Sequence, residues 1–295
     1  MKISVLSPVR NEQKYISEMI ESILAQDHHD FELIIVDDGS TDETVAIATR
    51  YARKDERIRI FGVGGTRGKV QSFNLAYEQS SGAVVVLLAG DDRVLKNSLS
   101  VRVATVESAL KVGNKVAAFF KLRTFSTEHK FDGIVIPRGA KTSRSGGAMA
   151  LSRELADEIF PIAKDLIAED IWISELCSLL ADTIAEEATI VLDYRIHSGN
   201  SHPRQSDFET MTEAMHLRML PYNRILDSEK FELSAHQRQG LEALVELENR
   251  RYARDTLSLF FVRGVRLIDK LRALSSSTKV LYRLRSHFYR LFSGW

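Results

Sequence analysis

Short apolar runs alternate with helical segments over the first 88 residues, and this alternation is the feature that most constrains the fold. The apolar runs lie at 3–6, 31–36, 57–63 and 83–88. Between them, apolar residues recur at helical spacing, and helices are expected at 16–24, 41–53 and 69–80. A β-α-β-α-β-α-β order predicts a parallel sheet with right-handed crossovers. The strands are apolar without alternation, as is typical of strands buried on both faces.

The pattern is looser after Asp92. Helices are expected at 97–112, 151–160 and 169–181, and strands at 116–123, 134–136 and 189–196. The polar stretch 139–147 is expected to be a loop. Beyond about residue 207 the pattern is helical, at 209–217, at 235–257 and in an amphipathic run to the end. We therefore expect an α/β domain over 1–202 and a helical extension over 203–295.

Two pairs of acids follow apolar strands. Asp37-Asp38 comes directly after the second strand, and Asp91-Asp92 follows the fourth. Parallel strands bring their carboxyl ends to one edge of the sheet, where open α/β sheets bind ligands. Close carboxylates repel, so a bound cation or a polyhydroxylated ligand is indicated. As an alternative, each pair forms a polar turn. Ser40 and Glu43 have the spacing of a capping box, which predicts a helix start there.

The bulk composition is that of an ordinary globular protein, with 44% apolar and 27% charged residues. Cys177 is the single cysteine, so no disulfide framework is expected and a reducing, cytoplasmic setting is predicted. The segment before Pro8 is too short for a signal peptide. No run of 18 apolar residues occurs, so no membrane-spanning helix is expected.

The net charge of zero conceals a basic carboxyl-terminal segment. Residues 250–295 carry 11 Lys and Arg against two acids. Basic residues alternate there with Phe, Leu and Trp in the pattern of an interfacial membrane helix. One expectation is peripheral contact with the anionic inner face of the cell membrane; the alternative is packing on the α/β domain or on a second subunit. Nucleic-acid binding is not expected, because the apolar face is continuous.

Six short motifs occur in the order and spacing of a known family. They are Ser7-Pro8-Val9-Arg10-Asn11-Glu12, Val36-Asp37-Asp38-Gly39-Ser40-Thr41-Asp42, Gly90-Asp91-Asp92, Gly146-Gly147-Ala148, Glu169-Asp170-Ile171-Trp172 and Tyr194-Arg195-Ile196-His197. Together they resemble the family 2 glycosyltransferases of the GT-A fold, over about residues 1–200. The resemblance implies a Rossmann-like, mostly parallel sheet flanked by helices.

The resemblance also implies a nucleotide-sugar site. Pro8, Arg10 and Glu12 would line the nucleobase pocket, and the Asp38 carboxylate would accept the N3–H of a uracil. Asp91 would lie near the ribose. Lys69 is a candidate for phosphate or base, with a solvated surface lysine as the alternative. Gly147 would allow close approach of donor and acceptor, with a plain flexible loop as the alternative.

A divalent cation is implied in the same way. Asp92 takes the place of the metal ligand in the family's Asp-x-Asp signature, although Gly90 stands where the first acid is expected. His197 is a second candidate ligand, or a partner for phosphate together with Arg195. Mg²⁺ or Mn²⁺ bridging a diphosphate would neutralise the charge of the leaving group.

The Glu-Asp motif would supply the general base. By resemblance Asp170 takes the proton of the acceptor hydroxyl and Glu169 supports its orientation. An alternative is that both acids stabilise a helix amino terminus, and the two roles are compatible.

The sequence therefore predicts an inverting, metal-dependent glycosyltransferase that uses a UDP-sugar in bacterial surface polysaccharide or glycolipid assembly. The acceptor would be a sugar or a lipid-linked sugar, and a homo-oligomer is left open. A nucleotidyltransferase is one alternative, but it would require a glycine-rich basic loop where Pro8-Val9-Arg10-Asn11-Glu12 stands. A non-catalytic, partner-recruiting binding protein is the other.

Overall fold

The computed structural model describes residues 1–126, 131–197 and 207–287. The chain divides into two compact units. The first unit comprises Met1–Lys164 and Ile173–Ser198, and the second comprises Asp165–Trp172 and Gly199–Trp295. The predicted boundary after residue 202 lies outside the described residues and stays a prediction.

The first unit is built on one mixed sheet. Its strands are β1 (Ile3–Val9), β2 (Phe31–Asp37), β3 (Ile58–Gly62), β4 (Val84–Leu87), β5 (Arg93–Val94), β6 (Val116–Ser126), β7 (Val135–Ile136), β8 (Met149–Ser152) and β9 (Thr183–Ile196). The spatial order is β3-β2-β1-β4-β8-β6-β9-β5, and β7 pairs with β6. The four strands predicted over the first 88 residues pair in parallel, as the alternation of elements requires, and β6 and β9 are parallel as well.

Helices connect and cover these strands. They are α1 (Ile16–Leu24), α2 (Thr44–Ala52), α3 (Lys69–Glu78), α4 (Ser98–Ala109), α5 (Arg153–Ile159) and α6 (Glu169–Leu180). Apolar residues of β1, β2 and β4 are fully buried, so the sheet carries the core, as their non-alternating sequence predicted. Cys177 on α6 is a free, buried thiol.

Two local predictions were wrong, and one strand pairing was missed. The helix expected from residue 41 begins at Thr44, and no capping box forms, because Ser40 Oγ accepts the N–H of Asn11 instead. Residues 151 and 152, expected to begin a helix, belong to strand β8, which fits between β4 and β6 in antiparallel register, and the helix begins at Arg153. The edge pairing of β5 with β9 was not foreseen, because a two-residue strand has no periodicity.

The second unit is helical. It contains α7 (Phe208–Asp227), α8 (Ala235–Tyr252), a 3-10 turn (Ser258–Phe261), α9 (Leu267–Ser275) and α10 (Lys279–His287). Ala243, Leu247, Leu259, Val262 and Ala273 form its small core. The continuous amphipathic run expected after residue 257 is therefore broken into separate short pieces. In the part of the chain that the structure describes, no helix is both long and apolar enough to cross a membrane.

Candidate active site

The loops after β1 and β2 are joined at the carboxyl edge of the sheet. The Asn11 N–H donates to Ser40 Oγ at 2.9 Å, and the Glu12 N–H donates to Thr44 Oγ1 at 2.7 Å. Asn11 has φ of 57°, a left-handed conformation that asparagine tolerates. These bonds fix the backbone of the predicted nucleobase motif against the start of α2.

Pro8 and Arg10 differ in their exposure to solvent at this edge of the sheet. Pro8 is buried on β1 and lies opposite Val36 of β2. Arg10 follows the end of β1 and is exposed. Of the two, only Arg10 is placed to meet a ligand from solvent through its side chain.

The two acids after β2 have different partners. Asp37 accepts the N–H groups of Gly39 and Ser40, each at 3.2 Å, so it is the turn former that the alternative hypothesis described. Asp38 is buried, and its Oδ1 accepts the N–H of Arg67 at 2.7 Å and of Gly68 at 3.0 Å. The Asp38 carboxylate thus fixes the glycine-rich loop at the amino terminus of α3.

Lys69 opens α3 directly after this loop. Its side chain is exposed, and its ammonium lies 5.6 Å from the centre of the Phe73 ring. The structure brings Lys69 near enough to Asp92 for its positive charge to act on that carboxyl group.

Asp91, Asp92 and His197 come together although about a hundred residues separate the acids from the histidine. His197 Nε2 lies 2.9 Å from Asp91 Oδ2. Asp92 Oδ1 accepts the N–H of Arg195 at 2.8 Å, two residues before the histidine. The Tyr194-Arg195-Ile196-His197 string at the end of β9 is therefore locked onto the Gly90-Asp91-Asp92 turn.

The acids at this edge repel each other. Burial, and then the Asp91 carboxylate, raise the pKa of Asp92 well above its usual value, while the N–H of Arg195 and the charge of Lys69 only partly oppose this. Burial, followed by the charges of Asp91 and Asp42, raises the pKa of Glu12 to about 7. The described residues thus leave a surplus of negative charge here, which a cation would relieve.

The geometry also accounts for Gly90. A β-carbon there would lie 2.8 Å from Cγ1 of Val9 and 3.0 Å from Cγ of Glu12. An acid at this position would clash with the strand and the loop beside it. The chain therefore carries only the later acids of the Asp-x-Asp signature.

The donor atoms of Asp92 and His197 fit a divalent cation, because carboxylate oxygen and neutral imidazole are both ligands for Mn²⁺. Among the described residues, no three His, Cys, Asp or Glu side chains form a cage of their own. A cation held at this edge would therefore take most of its ligands from a bound molecule, as Mg²⁺ commonly does with phosphates. The surplus negative charge agrees with this fit.

Arg195 stabilises the cluster of Asp91, Asp92 and His197 through contacts of its side chain. Its Nε donates to the carbonyl of Asp91 at 2.7 Å, and its guanidinium pairs with Glu18. The guanidinium also lies over the rings of Tyr15 and Phe125, at 4.5 and 4.3 Å. The expected phosphate role of Arg195 is thus weakened, because the buried side chain is committed to this scaffold.

Sequence reasoning did not single out Tyr15 or Glu18. Each lies on or beside α1, and their contacts with Arg195 or His197 span well over a hundred residues. Spacing along the chain carries no signal for such long-range contacts.

Gly147 lies in a 3-10 turn (Gly146–Ala148) before β8. Its carbonyl accepts from the guanidinium of Arg102, a side chain of α4 that is 1% exposed. A β-carbon on Gly147 would lie 2.7 Å from Leu192. A larger residue here would have to displace the end of the Leu192 side chain, and the segment is a packed 3-10 turn rather than a plain flexible loop.

The Glu-Asp motif begins α6, so its acids lie at a helix amino terminus as the alternative role requires. Glu169 is buried, whereas Asp170 is partly exposed and pairs with Arg218 of α7, Nη2 to Oδ2 at 2.9 Å. Both belong to the second unit, whereas Asp91 and Asp92 belong to the first. A common site for Asp170 and these acids stays a prediction.

A family model, described as Glycosyl transferase family 2, matches residues 4–160, which is more than half of the chain. The matched region contains the loop after β1, both acid pairs and the Gly147 turn. The chain belongs to glycosyltransferase family 2.

Curated proteins that resemble this glycosyltransferase in sequence are also named as glycosyltransferases. One is the GalNAc(5)-diNAcBac-PP-undecaprenol beta-1,3-glucosyltransferase of Campylobacter jejuni, 35% identical over 100 residues, which are 34% of this chain and 32% of that protein. The chain spans 70% of the length of one curated relative, but 17% and 39% of two others.

Solved structures resemble the whole chain. Staphylococcus aureus TarS 1–349 in complex with UDP-GlcNAc has a TM-score of 0.64 at 20% identity, over 96% of this chain and 84% of that one. The mannosyltransferase PcManGT of Pyrobaculum calidifontis, in complex with GDP-Man and Mn²⁺, has a TM-score of 0.60 at 17% identity, over 99% and 85%. These likenesses show the fold.

The predicted family, the enzyme class and the GT-A type α/β fold with a helical carboxyl-terminal extension are thereby confirmed. The individual roles predicted for the site residues of this glycosyltransferase are not tested by these likenesses. They enter below as proposals, argued from the contacts described above.

Proposed function

We propose that this glycosyltransferase moves a sugar from a nucleoside-diphosphate sugar, a UDP-sugar, to a hydroxyl acceptor with inversion at the anomeric carbon. The observation that carries the proposal is the cluster of Glu12, Asp91 and Asp92 with His197 at the carboxyl edge of the sheet. Such a surplus of negative charge destabilises a protein unless a bound cation uses it.

The nucleoside end of the donor is proposed to lie against the joined loops after β1 and β2. Arg10 and Glu12 would contact it from the first loop. Asp38 keeps acceptor capacity beside its two loop amides, because each carboxylate oxygen has two lone pairs. A uracil N3–H would find an acceptor there, and the UDP-GlcNAc complex of TarS supports this choice of base.

Asp92 and His197 are proposed to hold Mg²⁺ or Mn²⁺. When bound, the cation would neutralise charge that develops on the departing diphosphate. The Mn²⁺ complex of PcManGT supports this choice of metal. Lys69, near Asp92, would add positive charge towards the same phosphates.

The chemistry proposed for the chain's own residues is one proton transfer in a single displacement. The acceptor oxygen forms its bond to the anomeric carbon as the bond to the phosphate oxygen breaks, and that electron pair leaves with the nucleoside diphosphate. Asp170 takes the proton of the acceptor hydroxyl. Glu169 would support its orientation.

The acceptor is proposed to be a lipid-linked sugar of bacterial surface polysaccharide assembly. The name of the Campylobacter jejuni relative, which contains undecaprenol, supports this class.

Two alternatives remain open to test. A nucleotidyltransferase would release pyrophosphate or transfer a nucleotide, and it lacks support from the loop after β1. A non-catalytic binder would bind the donor without turnover.

The deciding experiment combines binding and turnover. A panel of UDP- and GDP-sugars is screened for thermal stabilisation with Mn²⁺, because a ligand of the native state raises its melting temperature. The best donor is then assayed for release of nucleoside diphosphate by wild type, Asp92→Asn and Asp170→Asn, with Asp165→Asn as the matched control for the second acid. Turnover unchanged by either substitution at Asp92 or Asp170 would reject the assignment.

We propose further that the second unit binds an anionic membrane surface. Large apolar side chains are exposed on α9, on the 3-10 turn and on the residue before that turn, namely Leu257, Phe260, Phe261, Leu267, Ile268 and Leu271. Lys270 Nζ donates to the carbonyl of Phe260 at 2.9 Å, so the turn and the helix are held together. This apolar surface is hereafter the α9 surface.

Basic residues surround the α9 surface. Arg263, Arg266 and Arg272 are exposed, and the acid nearest in sequence, Asp269, is shared by the last two. Each basic residue near an anionic leaflet contributes about 1 kcal/mol, and exposed Phe and Leu side chains add burial in the headgroup region. This combination favours anionic lipid over a second protein copy.

Vesicle sedimentation tests the α9 surface on the full chain. Phe261→Asp should reduce binding to vesicles with anionic lipid severalfold. Val112→Asp is the matched control, because Val112 is 81% exposed and Phe261 77%, but Val112 lies in the first unit. Equal sedimentation of the two variants, or a wild type that dimerises in solution without binding vesicles, would reject membrane binding.

A further inference from the structure

The segment that carries the candidate base clusters with the helical unit and not with the sheet. Asp165–Trp172 is grouped with the residues after 199, although it precedes the last strand of the sheet. Two ion pairs to α7 and one ring contact hold it there. Trp172 lies edge-on to Phe231, with ring centres 5.8 Å apart.

The two ion pairs have the same chemistry but different positions. Arg224 Nε donates to Asp165 Oδ2 at 2.7 Å, at the start of the segment and in solvent. Arg218 Nη2 lies 2.9 Å from Asp170 Oδ2 and 3.2 Å from Asp170 Oδ1, near its end. The Arg218 pair is the more buried, with side-chain exposures of 25% and 29%.

We infer that Arg218 is a positioning residue for Asp170, an inference that rests on the base role proposed above. Arg218 Nη2 reaches both oxygens of Asp170, so it restrains the carboxylate more than a contact with one oxygen would. The Ile171 N–H also donates to Asp170 Oδ1, at 3.0 Å. The carboxylate is thus held from its own helix and from α7.

This arrangement leaves the base able to act. Each carboxylate oxygen has two lone pairs, and Oδ1 accepts two N–H groups whereas Oδ2 accepts one, so Oδ2 keeps the capacity to take a proton. Proton transfer depends steeply on the direction and distance of the acceptor, and a displacement of 1 Å lowers a rate about 100-fold. The helical unit therefore contributes α7 to catalysis through the alignment of Asp170.

Kinetics of Arg218→Ala, Arg218→Lys and Arg224→Ala test this role in the full chain. For Arg218→Ala we expect kcat to fall about 10- to 100-fold while KM for the donor stays within about twofold. Arg218→Lys should recover part of the loss, because an ammonium reaches one oxygen. Arg224→Ala should stay near wild type, because it removes an ion pair from the same segment but leaves the base held.

Chemical rescue separates alignment from folding. Added guanidinium ion, at concentrations well below those that denature the protein, should raise kcat of Arg218→Ala severalfold and leave Arg224→Ala unchanged. If Arg218→Ala does not fold, the Arg218→Lys variant carries the same kcat and KM comparison.

The outcomes distinguish this inference from the function it rests on. Transfer retained by Asp170→Asn would reject both the base assignment and the role of Arg218. Transfer lost in Asp170→Asn but normal in Arg218→Ala, or equal loss in Arg218→Ala and Arg224→Ala, would reject the role of Arg218 alone.

Discussion

Buried acids at the two ends of the parallel strands have pKa values that are shifted in opposite directions. At the amino end, Glu32 is 3% exposed and its carboxylate accepts from Ser4 Oγ at 2.7 Å, from the Ser81 N–H at 2.6 Å and from Lys2 Nζ at 3.0 Å. Burial alone would raise the pKa of Glu32, but these bonds lower it to about 2. At the carboxyl end, Asp92 is equally buried and its pKa is raised.

The difference lies in what surrounds each acid. Glu32 has donors on both oxygens, so its charge is neutralised within the protein. Asp92 accepts one backbone N–H and faces Asp91. A buried acid with complete partners stabilises the fold, whereas an acid without them indicates a site that an external cation completes.

The largest expected effect comes from Asp92→Asn. Removal of this carboxylate should lower turnover of the donor about 100- to 1,000-fold, the range for loss of one group that stabilises developing charge. The melting temperature at pH 8 should stay equal or rise, because a buried and repelled charge is removed. A large drop in melting temperature would show that Asp92 is a structural acid like Glu32.

The second largest expected effect is stabilisation of the native state by bound Mn²⁺ and UDP. Only the acid at the carboxyl end of the strands should influence it. Saturating Mn²⁺ with UDP at 100 times the dissociation constant stabilises the native state by about 2.7 kcal/mol. Calorimetry should show this stabilisation for wild type and for Glu32→Gln, and little of it for Asp92→Asn. If Asp92→Asn were stabilised as much as wild type, the metal site would have to lie elsewhere.

Glu32→Gln should lower stability without touching catalysis. The substitution replaces a charged acceptor of the Ser81 N–H, Ser4 Oγ and Lys2 Nζ bonds by a neutral amide, which costs about 1–3 kcal/mol. The pKa is lowered in the folded state, so this contribution is complete above pH 4.5 and disappears as pH falls towards 2. Denaturant unfolding at pH 7 and pH 3 should therefore show the gap to wild type shrinking in acid; kcat of the folded variant should not change.

Glu12→Gln should show the opposite sign and the smallest effect. The pKa of Glu12 is raised to about 7, so its ionised form disfavours folding, and wild-type stability falls as pH rises from 4.5 through 7. Solvent screens this partly exposed group, so the variant should gain less than about 1 kcal/mol at pH 8 and nothing below pH 4.5. Melting curves of both proteins across that range provide the measurement, and a gain that grows in acid would contradict burial and charge repulsion as the cause.

The sequence predicted the elements of the sheet better than the contacts of the site. The first four strands and three helices follow from local periodicity, and each begins within a few residues of its predicted start. Strand β8 was missed, because a short, largely apolar run directly before a helix looks like the helix itself. The capping box failed for a related reason, since Ser40 had a partner in another loop.

Among the site residues, position along a strand was predictable but pairing was not. That Asp38 and Asp92 follow strands was evident from the chain itself. The chain gave no sign that Asp38 accepts the backbone N–H groups after Thr66, or that His197 contacts Asp91. The role of Arg218 was beyond any local pattern.

By itself, the sequence determined the order of strands and helices and the arrival of acids at strand ends, because periodicity and strand direction act over a few neighbouring residues. The tertiary structure alone decided which acids are neutralised and which are left with surplus charge. That outcome depends on donors such as Ser81, Arg195 and Arg218, which packing brings from distant parts of the chain.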